Sequence, residues 1–224
     1  MLARAVLERA QDILLDVAGL RWPLPELARW LTDGLRNVVV QVPAANARTV
    51  TLSLAEGAHQ ELPDEYATLM RIIRNQAGSA VTIVDRALLD STVPDWYSGR
   101  ARAIAKHVMY DEASPRTFHV YPPNDGAGLL EAQVSVYPDP ISDEGLEIED
   151  YDMPLGLPDA YVTPLVDYVL YRAYSKDAQY AGAAQRAVMH LQAYSSALGV
   201  KVTIAANMSP NVKAGVANAA GGVD

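Results

Sequence analysis

The chain has 224 residues with no cysteine and a single phenylalanine. The missing cysteines exclude a disulfide framework, a thiolate zinc site and a cysteine nucleophile. No apolar run approaches the ~20 residues that a helix needs to cross a bilayer. The first segment, MLARAVLERAQDILLDVAG, carries Glu8 and Asp12 among its apolar residues, which is not typical of a secretory signal. We therefore expect a soluble protein that is made inside the cell and has no membrane partner.

Basic residues are too few to balance the acidic ones, because 18 Lys and Arg stand against 27 Asp and Glu. The formal net charge of −9 argues against general affinity for nucleic-acid phosphates, which needs clustered basic side chains. The remaining composition, 50% hydrophobic and 20% charged, is that of a globular protein with one large or two small domains. Twelve tyrosines are present. Tyrosine suits surfaces that are dry on one side and wet on the other, as subunit interfaces are.

Residues 158–199 contain the strongest periodic pattern of the chain. Apolar residues recur there with the 3.6-residue period of a helix that buries one face, at Val162, Val166, Val169, Ala173, Tyr180, Ala184, Val188, Leu191 and Leu198. Thr163 can cap this helix, Pro164 can open it, and Gly199 fits the left-handed position past its end. Gly182 lies mid-pattern, so the stretch is one helix with a weak point or two stacked helices. A single helix of ~35 residues would be ~50 Å long. Such a long helix favours a structural role in an assembly over a catalytic role.

The rest of the chain contains segments with the 3.6-residue period of helices and segments with the two-residue period of strands. Amphipathic helices are predicted at 2–18, with Gly19 as its stop, and at 25–42, between Pro25 and Pro43. Strands are predicted at 49–54, 80–86, 105–110, 117–121 and 130–137. Residues 62–75 read as a turn or short helix leading into an apolar run, and 87–96 as a short helix with a turn. The stretch 139–152 reads as an exposed acidic loop.

These elements together predict an α+β, mainly helical fold. It would be an antiparallel helix bundle with one long C-terminal helix, an inserted small antiparallel β-sheet and an extended C-terminal arm. The predicted parts are the N-terminal helices (1–48), a β-rich insertion (49–157), the long helix or helix pair that completes the bundle (158–199) and the arm (200–224). The arm consists of small residues without apolar periodicity, so alone it should be disordered or extended.

Catalytic and ligand-binding motifs are weak throughout. The four histidines, His59, His107, His119 and His190, fall in four predicted elements, and no HxH or HExxH spacing occurs. Adjacent carboxylates such as Asp143 and Glu144 do not show the ~5–10 Å separation across a cleft that a glycosidase needs. We expect no enzyme activity, no cofactor and no metal site.

Tyrosines recur along the predicted long helix, at Tyr161, Tyr168, Tyr171, Tyr174 and Tyr180. They could form a ligand-stacking platform, but interface or core packing is the simpler interpretation. We take these five residues as candidates for a subunit interface.

An ordered series of short motifs resembles a known protein family. The first part of the series contains Arg21-Trp22 with Glu26-Leu27 and Val42-Pro43, and then Leu54-Ala55-Glu56-Gly57 with Gln60, Leu62-Pro63 and Arg74-Asn75. The middle part contains Asp85-Arg86, Leu89-Asp90 and Pro94-Asp95-Trp96, and then Asp111, Pro115, Phe118 and Val120-Tyr121-Pro122-Pro123. The last part contains Leu157-Pro158-Asp159, Tyr161, Asp167-Tyr168, Leu170-Tyr171-Arg172-Ala173-Tyr174 and Lys176-Asp177. Over roughly residues 4–200 the series resembles the head-to-tail adaptor (connector) proteins of tailed bacteriophages.

The resemblance implies a structural virion protein in the neck between head and tail, made in the host bacterial cytoplasm. Such adaptors form a ring, commonly of twelve copies, below the portal protein after DNA packaging. The ring extends the DNA channel and docks the tail nozzle or tail tube, and the genomic DNA passes through it during ejection without specific binding. In related adaptors the C-terminal segment grips the portal. By this resemblance the portal-binding arm comprises Lys201, Val202, Ile204, Asn207, Met208, Pro210, Asn211, Val212 and Lys213.

Two other functions remain open from the residues alone. A peptidoglycan-degrading, tail-associated hydrolase would require a cleft with two carboxylates, one of raised pKa. A packaging or scaffolding factor would leave the mature particle. Neither has a motif of its own in this sequence.

Overall fold

The computed structural model describes residues 1–110, 114–177 and 179–208, with side chains through Gly199. Its five helices are α1 (Ala3–Leu14), α2 (Leu24–Gln41), α3 (Arg86–Thr92), α4 (Val162–Lys176) and α5 (Ala183–Met208). Its seven strands are β1 (Ala47–Ser53), β2 (Glu56–Glu61), β3 (Tyr66–Asn75), β4 (Thr82–Ile83), β5 (His107–Tyr110), β6 (Thr117–Asp125) and β7 (Leu129–Val136). No helix among these residues is both long and apolar enough to span a membrane.

The chain divides into two compact units. The helical unit comprises residues 1–45 together with the chain from Pro138 on, and the strand unit comprises Asn46–Tyr137. Helices make up 41% of the structure and strands 25%. The predicted mainly helical bundle is therefore wrong, because a substantial share of the structure is strand.

In the helical unit, α1 and α2 each bury an apolar stripe against α4. Leu7 in α1 and Leu27 and Leu31 in α2 are fully buried, as helical spacing predicts. Pro23 precedes α2 and costs no hydrogen bond there, because the first N–H groups of a helix have no internal partner. The indole Nε1 of Trp22 donates to the carbonyl of Ala173 at 3.3 Å, which fixes the α1–α2 connection to α4.

Of the two alternatives left open for residues 158–199, one long helix or a helix pair, the structure forms the pair α4 and α5. The chain turns at Gly182, whose φ of +83° is a left-handed conformation that glycine adopts without steric cost. The helices are antiparallel, since Tyr174 late in α4 meets Arg186 early in α5, while the earlier Tyr168 meets the later Tyr194. The predicted end at Gly199 is wrong, because α5 continues to Met208. The first residues of the predicted extended arm are therefore helical.

The strand unit contains two sheets instead of the one small antiparallel sheet that was predicted. The first has the order β1-β7-β3 and is antiparallel throughout; the second has the order β2-β6-β5-β4, in which β4 and β5 pair in parallel. Apolar side chains from both sheets share one core, among them Leu130 and Val134 of β7 and Phe118 and Val120 of β6. This arrangement is a β-sandwich, in which each sheet shields one face of the other from water.

The prediction missed β2 and β3 for different reasons. The β2 sequence EGAHQE has no β-branched residue, so it lacks intrinsic strand signal. From the sequence, the apolar run of β3 is assigned to no element, and the register of this strand against β7 shifts at three points. Such irregularities interrupt the alternation by which a strand is recognised. These segments are strands because β2 forms backbone hydrogen bonds with β6 and β3 forms them with β7.

A short helix covers the outer face of the second sheet. The Asp85 carboxylate caps α3 by accepting the Ala87 N–H at 2.7 Å. Leu89 of α3 and Trp96 pack on Met109 of β5, and the Trp96 indole donates to Asp90 at 2.7 Å. The predicted short helix with a turn at 87–96 therefore agrees with the structure.

Gly34 allows the close approach of α2 and α4. A Cβ added there would lie 2.9 Å from Cδ1 of Tyr168, too close for a real contact. We expect Gly34→Ala to lower the free energy of unfolding by about 1–3 kcal/mol through overpacking. Gly199→Ala is the matched control, because no atom lies within 4 Å of the added Cβ and alanine favours a helix. Urea denaturation measures both variants, and an unchanged stability for Gly34→Ala would contradict the packing argument.

Tyr194 in α5 should make the fold sensitive to alkali. Burial raises the pKa of Tyr194, and neighbouring Tyr168 adds to the rise. Unfolded tyrosine titrates at about pH 10. The stabilisation from this group is therefore complete below that pH and is lost as pH rises towards the higher pKa of the folded state.

The free energy of unfolding should then fall by up to about 1.4 kcal/mol per pH unit from this one group. Tyr194→Phe should make the fall shallower. It should also cost about 1 kcal/mol at neutral pH, because the hydroxyl donates to Asn37 at 2.6 Å. Urea denaturation from neutral pH to about pH 11 tests this, and identical slopes for the two proteins would refute it.

Candidate functional site

The α1–α2 connection exposes large apolar side chains to solvent. Leu15, Val17 and Leu20 are 90%, 72% and 89% exposed, and we call them the apolar loop. Exposed apolar groups clustered in this way mark interaction surfaces more often than isolated ones do. The loop borders a cleft of about 500 Å³ whose far side includes Leu146, itself strongly exposed.

The apolar loop is held in one conformation by Asp16. Its carboxylate accepts the backbone N–H groups of Leu20 at 3.0 Å and of Arg21 and Trp22 at 2.8 Å. Burial acts to raise the pKa of Asp16, but the three N–H groups and the Arg21 charge outweigh it and lower the pKa. A surface fixed in this way loses little conformational entropy when a partner covers it.

Sequence reasoning missed this loop. The predicted helix over residues 2–18 would include Val17, whereas α1 ends at Leu14 and Leu15 takes a left-handed conformation with φ of 56°. The sequence signal for an exposed apolar loop was its composition, because the apolar residues Leu15, Val17 and Leu20 alternate along the chain with Asp16 and Gly19. A loop so rich in apolar residues is unusual for a solvated turn.

The second open surface is the outer face of α5. Between Ala183 and Gly199, only a narrow stripe of this helix is buried, formed by Ala183, Ala187, Tyr194 and Leu198. Val188, Met189 and Leu191 point into solvent. Between Ala183 and Gly199 the only residue with a permanent charge is Arg186. A largely uncharged exposed helix face is typical of a helix that packs against a further partner.

The five tyrosines of the predicted stripe lie in different environments. Tyr161 and Tyr174 are buried in the helical unit, so each has little surface left for a neighbour. Tyr168 and Tyr171 are half-buried and contact each other with ring centroids 6.0 Å apart. Tyr180 is exposed, and the Arg21 guanidinium lies 4.2 Å from its ring centroid. Their role at a subunit interface stays a prediction, strongest for the last three.

The residues of the predicted portal-binding arm fall into two groups. Lys201, Val202, Ile204, Asn207 and Met208 belong to the last turns of α5. Pro210, Asn211, Val212 and Lys213 lie outside the described residues.

The histidines take part in ring contacts and one ion pair. His59 and His119 are cross-strand neighbours with ring centroids 5.2 Å apart, and His107 stacks on Tyr121. The Nδ1 atom of His190 lies 2.9 Å from the Asp167 carboxylate. Across residues 1–110, 114–177 and 179–208, no group of three acidic or histidine side chains could hold a metal ion. The Asp143 carboxylate pairs with Arg29 at 3.1 Å on an exposed surface.

Comparison with protein-family models gives an informative match. A family model described as SU10 adaptor protein matches residues 1–214. A comparison with curated proteins gives no significant match. The family match extends over both units and includes all of the ordered motifs on which the sequence resemblance depended. The chain therefore belongs to the SU10 adaptor protein family, a family of structural bacteriophage proteins.

Proposed function

We propose that this protein forms a ring below the portal of a tailed bacteriophage, extends the DNA channel and docks the tail nozzle or tail tube. The observation that carries the proposal is the family match over residues 1–214. Membership in an adaptor family implies contact with portal and tail proteins and a place in the neck of the virion. The ring and its contacts with the portal and the tail go beyond the family match and are our proposal.

Two distinct open surfaces of the helical unit support a ring. A contact that joins different patches on identical copies is heterologous, and it closes into a ring when the rotation between neighbours divides a full turn. The apolar loop and the outer face of α5 are different patches, and both expose apolar side chains. Burying them releases about 25 cal/mol per Å² of apolar surface. We take twelve copies from the family resemblance.

The charge of the chain is consistent with a conduit for DNA. A net charge of −9 per copy repels the phosphates of a passing duplex on average. Such a wall would guide DNA during ejection without binding it specifically. The alternative, a peptidoglycan hydrolase, has no observation in its favour, because the adjacent carboxylates Asp143 and Glu144 sit on an exposed segment.

The apolar loop gives a direct test of ring formation. We expect Leu20→Glu to leave stability within about 0.5 kcal/mol, since the side chain is already exposed. It should weaken assembly about tenfold or more if Leu20 is covered by a neighbour. The matched control is Leu88→Glu, which places the same charge on another exposed leucine, in α3. Mass photometry of each full chain with the portal gives the ring occupancy, and wild-type assembly of Leu20→Glu would contradict the contact.

Truncation tests the proposed portal-binding arm. A chain that ends at Gly199 keeps every buried residue identified in α5, including Tyr194 and Leu198, so we expect it to fold. It should fail to join the portal under conditions in which the full chain joins. The measurement is co-sedimentation with purified portal. Normal docking by the truncated chain would remove the arm from the proposal, and a full chain indifferent to the portal would overturn the adaptor function itself.

A further inference from the structure

Three basic residues of the strand unit lack ionic partners. Arg100, Arg102 and Lys106 are exposed and form no ion pair with any residue that the structure describes. They line a single concavity of about 240 Å³, and we call it the basic pocket. Its other lining residues are Val93, Asp95, Trp96, Gly99, Tyr121, Pro122 and Pro123. The pocket is a concentrated positive site on a strongly acidic protein.

Two buried amides fix the backbone that carries these cations. Asn124 is fully buried, and its Nδ2 donates to the carbonyls of Arg102 and Ala103, both at 3.1 Å. Asn75 is almost fully buried and exchanges two hydrogen bonds with Ala105, at 2.8 and 3.0 Å. The segment is therefore held in place before any ligand arrives, which lowers the entropic cost of binding.

The helical unit carries a complementary segment. Residues 139–152 contain seven carboxylates. Five of these have partners within the unit: Asp143 pairs with Arg29, Glu149 and Asp152 pair with Arg4, and Glu147 and Asp150 accept backbone N–H groups as a capping box. Asp139 and Glu144 are exposed and have no side-chain partner in the described part of the chain. These two carboxylates are available for an external cation.

We propose that the basic pocket of one copy receives the acidic segment, residues 139–152, of the next copy in the ring. The inference rests on the proposed ring, and it adds a polar contact that would set the register between neighbours. Arg100 and Arg102 would pair with Asp139 and Glu144, and the pairing joins different patches, as a closed ring requires. Complementary charges of this kind act mainly on encounter rate and specificity.

A second copy fits the pocket better than DNA does. A short acidic segment of the same protein is present at one copy per pocket, so a homo-oligomer always supplies an occupant. The pocket also contains Asp95, and its volume suits one or two carboxylate side chains. Binding a duplex would instead need a row of cations along the backbone.

A charge-swap experiment tests the pairing. One variant carries Arg100→Glu with Arg102→Glu, and a second carries Asp139→Lys with Glu144→Lys. Alone, each variant juxtaposes like charges, so we expect its assembly to weaken about tenfold. Mixed in equal amounts, they should assemble again as an alternating ring, because each altered pocket meets an altered segment of opposite charge. The control is Arg48→Glu with Arg71→Glu, two exposed arginines of the same unit that also form no ion pair with the residues described in the structure.

Mass photometry of the full chains, alone and with the portal, separates the outcomes. Wild-type assembly by both variants would overturn this contact and leave the adaptor function standing. A wild-type chain that assembles in neither condition would overturn the adaptor function and, with it, this inference. Weak assembly without rescue in the mixture would also overturn the pairing. If, in addition, the wild type but not the pocket variant bound a short duplex DNA, the pocket would be a DNA site.

Discussion

The burial of α4 is the constraint on which the helical unit depends. Leu165, Val169, Leu170 and Ala173 are fully buried because α1, α2 and α5 all pack on this one helix. Gly34 supplies the space that brings α2 close to it. Since α4 is covered by several neighbours, α5 contributes only a narrow stripe to the core. The open face of α5 is thus a consequence of where the core lies, and it leaves a helix surface available for assembly.

In the strand unit, buried polar groups determine the path of the backbone as much as buried apolar groups do. Its sandwich core is apolar, but Asn75 and Asn124 are buried beside it and direct their side-chain hydrogen bonds to backbone groups. A buried amide is costly unless it is satisfied, so both residues dictate the path of the segments they bind. The path they fix near Arg102 is the one that concentrates positive charge on one face.

Much of the charge of this protein is used internally. Arg4, Arg21, Arg29, Arg172 and Lys176 each pair with a carboxylate of the helical unit. Exposed pairs of this type add little stability individually. Among the described residues, the charges without an ionic partner include those of the pocket and two carboxylates of the acidic segment. In the proposed ring these charges would set the register between neighbouring copies, which apolar contacts specify poorly.

Patterns in the sequence were enough to predict the helical period of α1, α2, α4 and α5, the strands β1 and β7, and the family. Each of these depends on local periodicity or on an ordered series of residues, which a linear chain displays directly. The sequence left open whether residues 158–199 form one helix or two, and it gave no signal for β2. The tertiary structure decided both, because Gly182 becomes a turn when α5 can fold back on α4, and β2 becomes a strand when β6 offers it hydrogen bonds. The apolar loop and the basic pocket also needed the tertiary structure, since exposure and unpaired charge depend on which side chains meet across the fold.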